Sequence, residues 1–585
     1  METRSQGPPG DARSTLLCAV AVAAPALLIY LPTLGYGFSN FDDPTYVADN
    51  PWIHALTWSN VRHWWTADYF GNYAPLTLAS YALDHALWGQ QPFGYHLTNV
   101  LLHAASSGLL VAALRLGGAS LPTALFGAIV FATHPAQVES VAWVAQRKTL
   151  LAGFFLLLSY LAYVRAISST PPSRGGLEIT WGLFLAALVS KVTVVIFPAV
   201  LILYDLGFRR GESPRRLILE KVPFVILAAA GAWVGYRAQV DFQVTTQGWL
   251  GGTPVLHAAT MAELLARYAR ILLLPTGLSA LYDPPDARSL VEPWAVAGCA
   301  LAALGAWGAW FAWRRDRRAL PWMGFFWLGF LPVSQIVPYT VHMADRYLYV
   351  PMMGVAAVTG AGGVALLGRM RGRASRAAGA AAIGIALLCL SLLTLARERV
   401  WHDPFSLWSD TIRRPPVHWV SWYNHGKTMD EQGSPWEAIA SYEQALALNP
   451  ESVLSLTNLG HDYALVGELD RAESALRRAI ALPRAVPEDR ARAAILLGEL
   501  LLARGRPAGA IPPLEHALAW QPRSVPARLL LARSLHALGR DTEARLRLDQ
   551  ALDLALRLGN PDSLRTQILE ARKALSAPPA PPNPR

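Results

Sequence analysis

Long apolar runs separated by short polar loops fill the first two thirds of the chain, and near residue 396 the pattern changes to charged segments of helical period. A membrane helix needs roughly 20 predominantly apolar residues. By that measure residues 15–34, 95–115, 121–134, 149–166, 178–190, 192–207, 222–239, 293–313, 320–338, 347–368 and 377–395 are candidate spans, about eleven with short loops. The expected fold class is all-α: a polytopic transmembrane helical bundle followed by a C-terminal helical solenoid. The expected domains are a cytoplasmic tail (1–14), a transmembrane domain (15–396), a linker (397–418), a repeat domain (419–575) and a disordered Pro/Ala-rich tail (576–585).

The repeat shows in the small residues. Trp422, Gly426, Ala438, Tyr442, Ala445 and Pro450 align with Leu456, Gly460, Ala472, Leu476, Ala479 and Pro483, the last one residue early. Ala494, Gly498, Ala510, Leu514, Ala517 and Pro522 follow, then a weaker fourth unit with Ala532, Ala544, Leu548 and Ala551. Successive glycines are 34 and 38 residues apart. This resembles tetratricopeptide repeats, in which small residues let two helices pack closely at a period of about 34. Such a solenoid offers a concave surface to a polypeptide; the plainer alternative is a stacking module for oligomerisation.

Composition agrees with a membrane protein: 585 residues, 53% hydrophobic, mean hydropathy +0.27. The net charge of +10 is almost all arginine, since Lys148, Lys191, Lys221, Lys427 and Lys573 are the lysines. A nucleic-acid reading is rejected because the membrane-half arginines cluster in short loops, as an orientation signal does. Arg209, Arg210, Arg215 and Arg216, then Arg314, Arg315, Arg317 and Arg318, then Arg369, Arg371, Arg373 and Arg376 fall on one side, with Arg4 and Arg13. Residues 264–274 break this parity as a crossing and are read as re-entrant or interfacial. Loops 35–94, 134–148, 241–293 and 339–346 and the repeat domain then share the non-cytoplasmic side. Cys18, Cys299 and Cys389 lie in apolar segments and support neither a disulfide framework nor a cysteine metal site. The N-terminal apolar run is read as a retained helix rather than a cleaved signal peptide.

A few polar groups exceed what membrane packing requires. Asp42 and Asp43 stand just beyond the first span; they suit a turn or cap or, at an apolar wall, a general base toward a hydroxyl. Between His134 and Lys148, a helix would place Glu139, Trp143 and Arg147 on one face and leave Arg147 and Lys148 free to hold an anion. His134 with Glu139 is weak evidence for metal ligation, and a capping histidine is the simpler reading. Asp345 and Arg346 open a late span, as an interfacial anchor or a site. Asn99 and His103, four residues apart, have a buried interhelical hydrogen bond as their default role. Lys191 divides two apolar runs, to meet a phosphate or to snorkel. The chain has no Walker loop, dinucleotide fingerprint or nucleophile elbow.

Taken together these stretches resemble the transmembrane and tetratricopeptide-repeat O-mannosyltransferase family, in a bacterial-type member, within the GT-C class of membrane glycosyltransferases. The resemblance rests on Phe41, Asp42 and Asp43 with Asn50 and Pro51; Ala74, Pro75, Leu76 and Thr77; and Pro92, Tyr95, His96, Asn99 and His103. It continues with His134 and Pro135, Glu139 to Trp143, Arg147 and Lys148, Ser190 and Lys191, Tyr204 and Asp205, the run 331–338, and Asp345 to Tyr349. It implies a polyprenyl-phosphate sugar donor, an outer-side active site and transfer of a hexose such as mannose to Ser/Thr of exported proteins. Asp42 or Asp43 would be the base of an inverting reaction. Arg147, Lys148, Arg346 and Lys191 would neutralise the donor phosphate, supported by His134, Glu139, Asp345, Asn99 and His103. The repeats would recruit the acceptor polypeptide; membrane lipid is a further partner and nucleic acid is not. Gln137, Gln146 and Thr149 replace a histidine, an acid and an aspartate of the family pattern, and Val192 and Thr193 replace a more polar pair. No cofactor is therefore expected, and a divalent metal is not supported. The expected location is a bacterial inner membrane with the repeats on the periplasmic side, or the endoplasmic reticulum membrane in a eukaryote. The rival readings are a non-enzymatic membrane scaffold and a GT-C enzyme acting on a glycan or lipid.

Overall fold

The structure is a computed structural model that describes residues 12–169, 171–241, 248–336, 339–483, 486–558 and 562–575. The two expected tails, residues 1–11 of the first and all of 576–585, lie outside the described residues. The chain divides into two compact units at Val417 and His418.

In the first unit the helices are α1 (Ala12–Tyr30), α2 (Trp58–Thr66), α3 (Pro75–Trp88), α4 (Pro92–Leu116), α5 (Leu121–Thr133), α6 (Val138–Ala142), α7 (Arg147–Ser168) and α8 (Arg174–Leu188). After them come α9 (Phe197–Phe208), α10 (Pro214–Asp241), α11 (Pro254–Leu273), α12 (Pro293–Arg315), α13 (Leu320–Trp327), α14 (Pro351–Arg369), α15 (Arg373–Glu398) and α16 (Pro404–Thr411). Proline opens α3, α4, α10, α11, α12, α14 and α16, where its missing N–H costs nothing and its φ is already helical. Ser120 caps α5 by accepting from Thr123 N at 3.3 Å, and Asp403 caps α16 by accepting from Ser406 N at 2.7 Å.

Each expected span overlaps a helix; in 320–338 the helical part ends at Val333, and residues 337–338 lie outside the described residues. Among the described residues seven helices are long and apolar enough to cross a membrane, or eight when α5 and α6, bent by 55° at His134, count as one span. The other three expected spans fall on the shorter α8, α9 and α13. Of residues 264–274, all but Leu274 belong to the longer helix α11, which carries Glu263 and Arg267 as an ion pair. Large apolar side chains stay exposed along α1, α10, α12 and α15, Leu28, Ile226, Leu304 and Leu388 among them, as lipid contact requires. Where helices touch, small residues set the spacing. A Cβ on Gly127 of α5 would lie 2.1 Å from the Ala356 carbonyl oxygen of α14, and one on Gly360 of α14 would lie 2.3 Å from the Thr123 carbonyl oxygen. Residues 399–411, within the stretch read as a linker, form a short turn and α16 and bury Trp401 and Trp408 in the core of this unit.

The second unit continues with α17 (Trp419–Glu431), α18 (Pro435–Leu448), α19 (Val453–Leu465), α20 (Leu469–Ala481), α21 (Pro487–Ala503), α22 (Pro507–Trp520), α23 (Val525–Ala537), α24 (Asp541–Arg557) and α25 (Asp562–Ala574). The aligned small residues mark the contacts within each helix pair. Gly426 faces the Tyr442 ring, Gly460 faces Leu476 and Gly498 faces Leu514, each with a would-be Cβ 2.6 or 2.7 Å from that side chain. Ala438, Ala472, Ala510 and Ala544 are fully buried beside them.

Candidate functional site

The loop after α1 is fixed by its aromatic residues. Phe41 stacks on Trp143 at 4.8 Å and meets Trp408 edge-on at 5.2 Å, while Trp143 stacks on Trp401 at 5.6 Å. Asn50 closes the loop, accepting from Trp52 N at 3.0 Å and donating to the Tyr46 carbonyl at 3.1 Å. On this frame the two adjacent aspartates have different surroundings.

Asp43 is buried and fully engaged. One carboxylate oxygen accepts from Ser39 N at 2.8 Å and Ser39 Oγ at 2.9 Å; the other accepts from Ala145 N at 2.8 Å. It therefore ties the first loop to the turn before α7. Burial pushes its pKa up to about 7, with these hydrogen bonds pulling the other way. Asp42 is half-buried; its main-chain carbonyl accepts from Tyr46 N at 3.0 Å, and its carboxylate has no hydrogen-bond or ion-pair partner among the described residues. Burial raises its pKa as well; Lys148 and Arg346 lower it and Glu139 opposes them, so these charges surround it.

Lys148, at the start of α7, donates to the Tyr46 hydroxyl at 3.1 Å and lies 4.3 Å from the centre of that ring. Lys191, between α8 and α9, donates to Thr149 Oγ1 at 2.8 Å, and Thr149 donates to Gln146 Oε1 at 3.1 Å. Both ammonium groups thus have neutral partners. Arg346 is held by Glu139, which accepts from its main-chain N at 2.8 Å and from its guanidinium in an ion pair. The guanidinium lies 5.4 Å from the Trp143 ring and 5.2 Å from that of Tyr347. Asp345 accepts from the Tyr282 hydroxyl at 2.6 Å, and burial next to Glu139 pushes its pKa up to about 7.

The structure corrects two expectations here. Glu139, Trp143 and Arg147 do not share one helix face, because α6 ends at Ala142 and Trp143 is extended with ψ 114°. Arg147 is also not free to hold an anion. It is fully buried, forms an ion pair with Asp84, donates to Asn99 Oδ1 at 2.9 Å and the Tyr95 carbonyl at 2.7 Å, and lies 4.7 Å from the Tyr81 ring centre. It links α3, α4 and α7. The sequence marks Asp84 only as a lone carboxylate in the apolar helix α3.

The supporting residues are structural in their contacts. Asn99 also donates to the Val141 and Trp143 carbonyls at 3.2 and 3.3 Å, and His103 bridges the Tyr349 hydroxyl and the Ala132 carbonyl at 3.2 Å each. His134 caps the turn after α5, accepting from Ala136 N, and lies 3.2 Å from the Leu272 carbonyl. Among the described residues no three His, Cys, Asp or Glu side chains gather to hold a metal ion. Tyr46, Thr149 and Tyr282, which position charged groups, were not among the expected site residues.

Models of the tetratricopeptide repeat match residues 420–452, 452–521 and 501–563. Protein O-mannosyl-transferase Tmtc3 of Drosophila melanogaster is 23% identical over 572 residues, covering 83% of this chain and 61% of its own. Protein O-mannosyl-transferase TMTC1 of Homo sapiens is 25% identical over 517 residues, covering 76% of this chain and 57% of its own. Human TMTC2 reaches 32% identity over 183 residues, 29% of this chain and 21% of that protein. The chain thus spans less than two thirds of the length of these curated relatives. It is a multi-pass membrane protein with C-terminal tetratricopeptide repeats, homologous over much of its length to the TMTC protein O-mannosyl-transferases.

Proposed function

We propose that this chain is an inverting GT-C-type glycosyltransferase. It moves a hexose such as mannose from a polyprenyl phosphate to Ser/Thr hydroxyls of exported polypeptides recruited by its repeats, on the non-cytoplasmic face of the membrane. The observation that carries this reading is the contrast at the first outer loop: the Asp43 carboxylate is spent on three hydrogen bonds, while the half-buried Asp42 carboxylate is unpartnered beside cations. Asp42 is then the base. It takes the acceptor proton as the hydroxyl oxygen attacks the anomeric carbon from the side opposite the phosphate. The anomeric carbon–oxygen bond breaks, and its electron pair leaves with the polyprenyl phosphate.

The basic groups around this loop support a donor of this type. The Lys148 and Lys191 amines contact only neutral partners, and Arg346 is tied to Glu139. A sugar phosphodiester carries one negative charge that such groups can receive. As the bond breaks, the phosphate gains a second charge, next to two ammonium groups that no carboxylate engages. Such placed charges act on the transition state because the charge develops there. Names of the relatives support the sugar and the protein acceptor.

The test is transfer from polyprenyl-phosphate mannose to a Ser/Thr peptide by the purified chain, read by mass spectrometry. Asp42→Asn should lower the rate by about 10²–10⁴-fold. Wild-type transfer by this variant removes the reading, and leaves a glycan acceptor or a scaffold as the better account.

A further inference from the structure

A separate basic pocket lies between α8 and α10, away from the aspartate loop in sequence and in its set of residues. It measures about 520 Å³ and is lined by Arg174, Ser213, Arg215, Arg216, Leu219 and Glu220. Two of these charges are already compensated. Arg216 pairs with Glu212 at 3.0 Å and with Glu220 at 3.1 Å, and Glu220 also pairs with Arg209 at 2.5 Å. Arg174 and Arg215 are exposed and have no ion-pair partner among the described residues.

Their placement leaves both guanidinium groups available to an anion. Arg174 is the first residue of α8 and Arg215 the second of α10, and neither helix has an acidic residue in its first turn. Unpaired N–H groups give a helix start a partial positive charge, so a cation there is repelled and an anion attracted. Two helix starts and two unpaired guanidinium groups thus line one cavity. Below it α10 turns outward Ile218, Leu219, Val222, Val225 and Ile226, all between 42% and 65% exposed. An apolar stripe running from a cationic pocket at a helix end matches a molecule with a phosphate head and acyl chains, and basic pockets between transmembrane helices bind anionic head groups in this way.

We propose that this pocket binds the phosphate of an anionic phospholipid, with the acyl chains along the outward stripe of α10. Arg174 and Arg215 hold the phosphate, and Ser213 stands at its rim. The site concerns the lipid that surrounds the protein and is independent of the transfer reaction.

The test is native mass spectrometry of the full chain in detergent with equal amounts of phosphatidylglycerol and phosphatidylcholine. Wild type should retain phosphatidylglycerol preferentially. Arg174→Gln and Arg215→Gln should each reduce retention about fivefold and the double variant about twentyfold, while Arg210→Gln, outside the pocket, leaves it unchanged. Equal retention of the two lipids by wild type, or unchanged retention in the double variant, overturns the proposal. Displacement of the lipid by millimolar inorganic phosphate would assign the pocket to a free anion and overturn it as well.

Discussion

Replacing each aspartate of the first outer loop by asparagine distinguishes the chemical role from the structural one. Asn at position 43 keeps one accepting oxygen and places an NH₂ where the second oxygen stood. The Ser39 hydroxyl can turn to accept from it; the main-chain N–H groups of Ser39 and Ala145 cannot. Whichever way the amide is turned, one of these buried N–H groups loses its acceptor, at a cost of about 1–3 kcal/mol. Asn at position 42 breaks no hydrogen bond and should change stability by less than about 0.5 kcal/mol. The assay pairs an apparent melting temperature, read by tryptophan fluorescence at fixed scan rate, with peptide mannosylation. Asp42→Asn should keep the wild-type melting temperature and lose transfer; Asp43→Asn should melt lower and lose transfer only in part. The pH dependence has a definite sign. The folded-state pKa of Asp43 is raised to about 7, so its contribution to stability is fully present at acid pH, below the ordinary carboxylate range, and is lost as pH rises through about 7. Asp43→Asn should remove that decline. The reasoning fails if Asp42→Asn is destabilised as much as Asp43→Asn, or if Asp42→Asn transfers normally while a stable Asp43→Asn does not.

Arg147→Ala should cost about 3–5 kcal/mol because it leaves Asp84 buried without its cation, and should show as lost monodisperse protein; a stable, merely inactive variant would return Arg147 to donor binding. Thr149→Val removes the hydroxyl that accepts from Lys191 and should raise KM for the donor about 2–10-fold with little change in kcat; an unchanged KM would take Lys191 out of the phosphate site. Gly460→Ala sets a Cβ 2.6 Å from Leu476 Cγ, so overpacking of about 1–3 kcal/mol outweighs the roughly 1 kcal/mol gained in helix propensity, and a higher melting temperature would contradict this. In the repeats, burial and the nearby Asp462 push the Asp430 pKa up to about 7, so this contact is most stable at acid pH and weakens through neutral pH. Hydrogen exchange in α17 and α19, corrected for intrinsic rates, should show protection falling from pH 5 to 8 in wild type and not in Asp430→Asn, with pH-independent wild-type protection as the contrary result.

The helical fold was legible because its signals are local. Apolar length marks the spans, proline marks helix starts, and the spacing of Gly426, Gly460 and Gly498 to their alanines reports contacts within single helix pairs. The site was legible as a set of residues and less so as an arrangement. Asp42, Lys148, Lys191 and Arg346 come from four separated segments, and nothing local in the chain says which cations are already paired. Arg147 illustrates this. Its neighbour Lys148 looks equivalent in sequence, yet one turn of the chain sends Arg147 to Asp84 and Lys148 to Tyr46. The partner that decides the matter, Asp84, lies 63 positions away in an apolar helix.

The same pairing logic bears on Gln146 and Thr149, the neutral residues that stand where acids were expected. Their chain of hydrogen bonds holds Lys191 without cancelling its charge. A carboxylate at either position would pair with the lysine and leave less positive charge for a phosphate. Arg346 shows the contrasting solution: Glu139 fixes it through both main chain and guanidinium, so its geometry is firm and much of its charge is offset. Amines with neutral partners are left to pair with an incoming anion, and a fixed guanidinium sets the register of the turn that carries it. The proposed anionic donor would use both, so these departures from the family pattern are compatible with the proposed transfer.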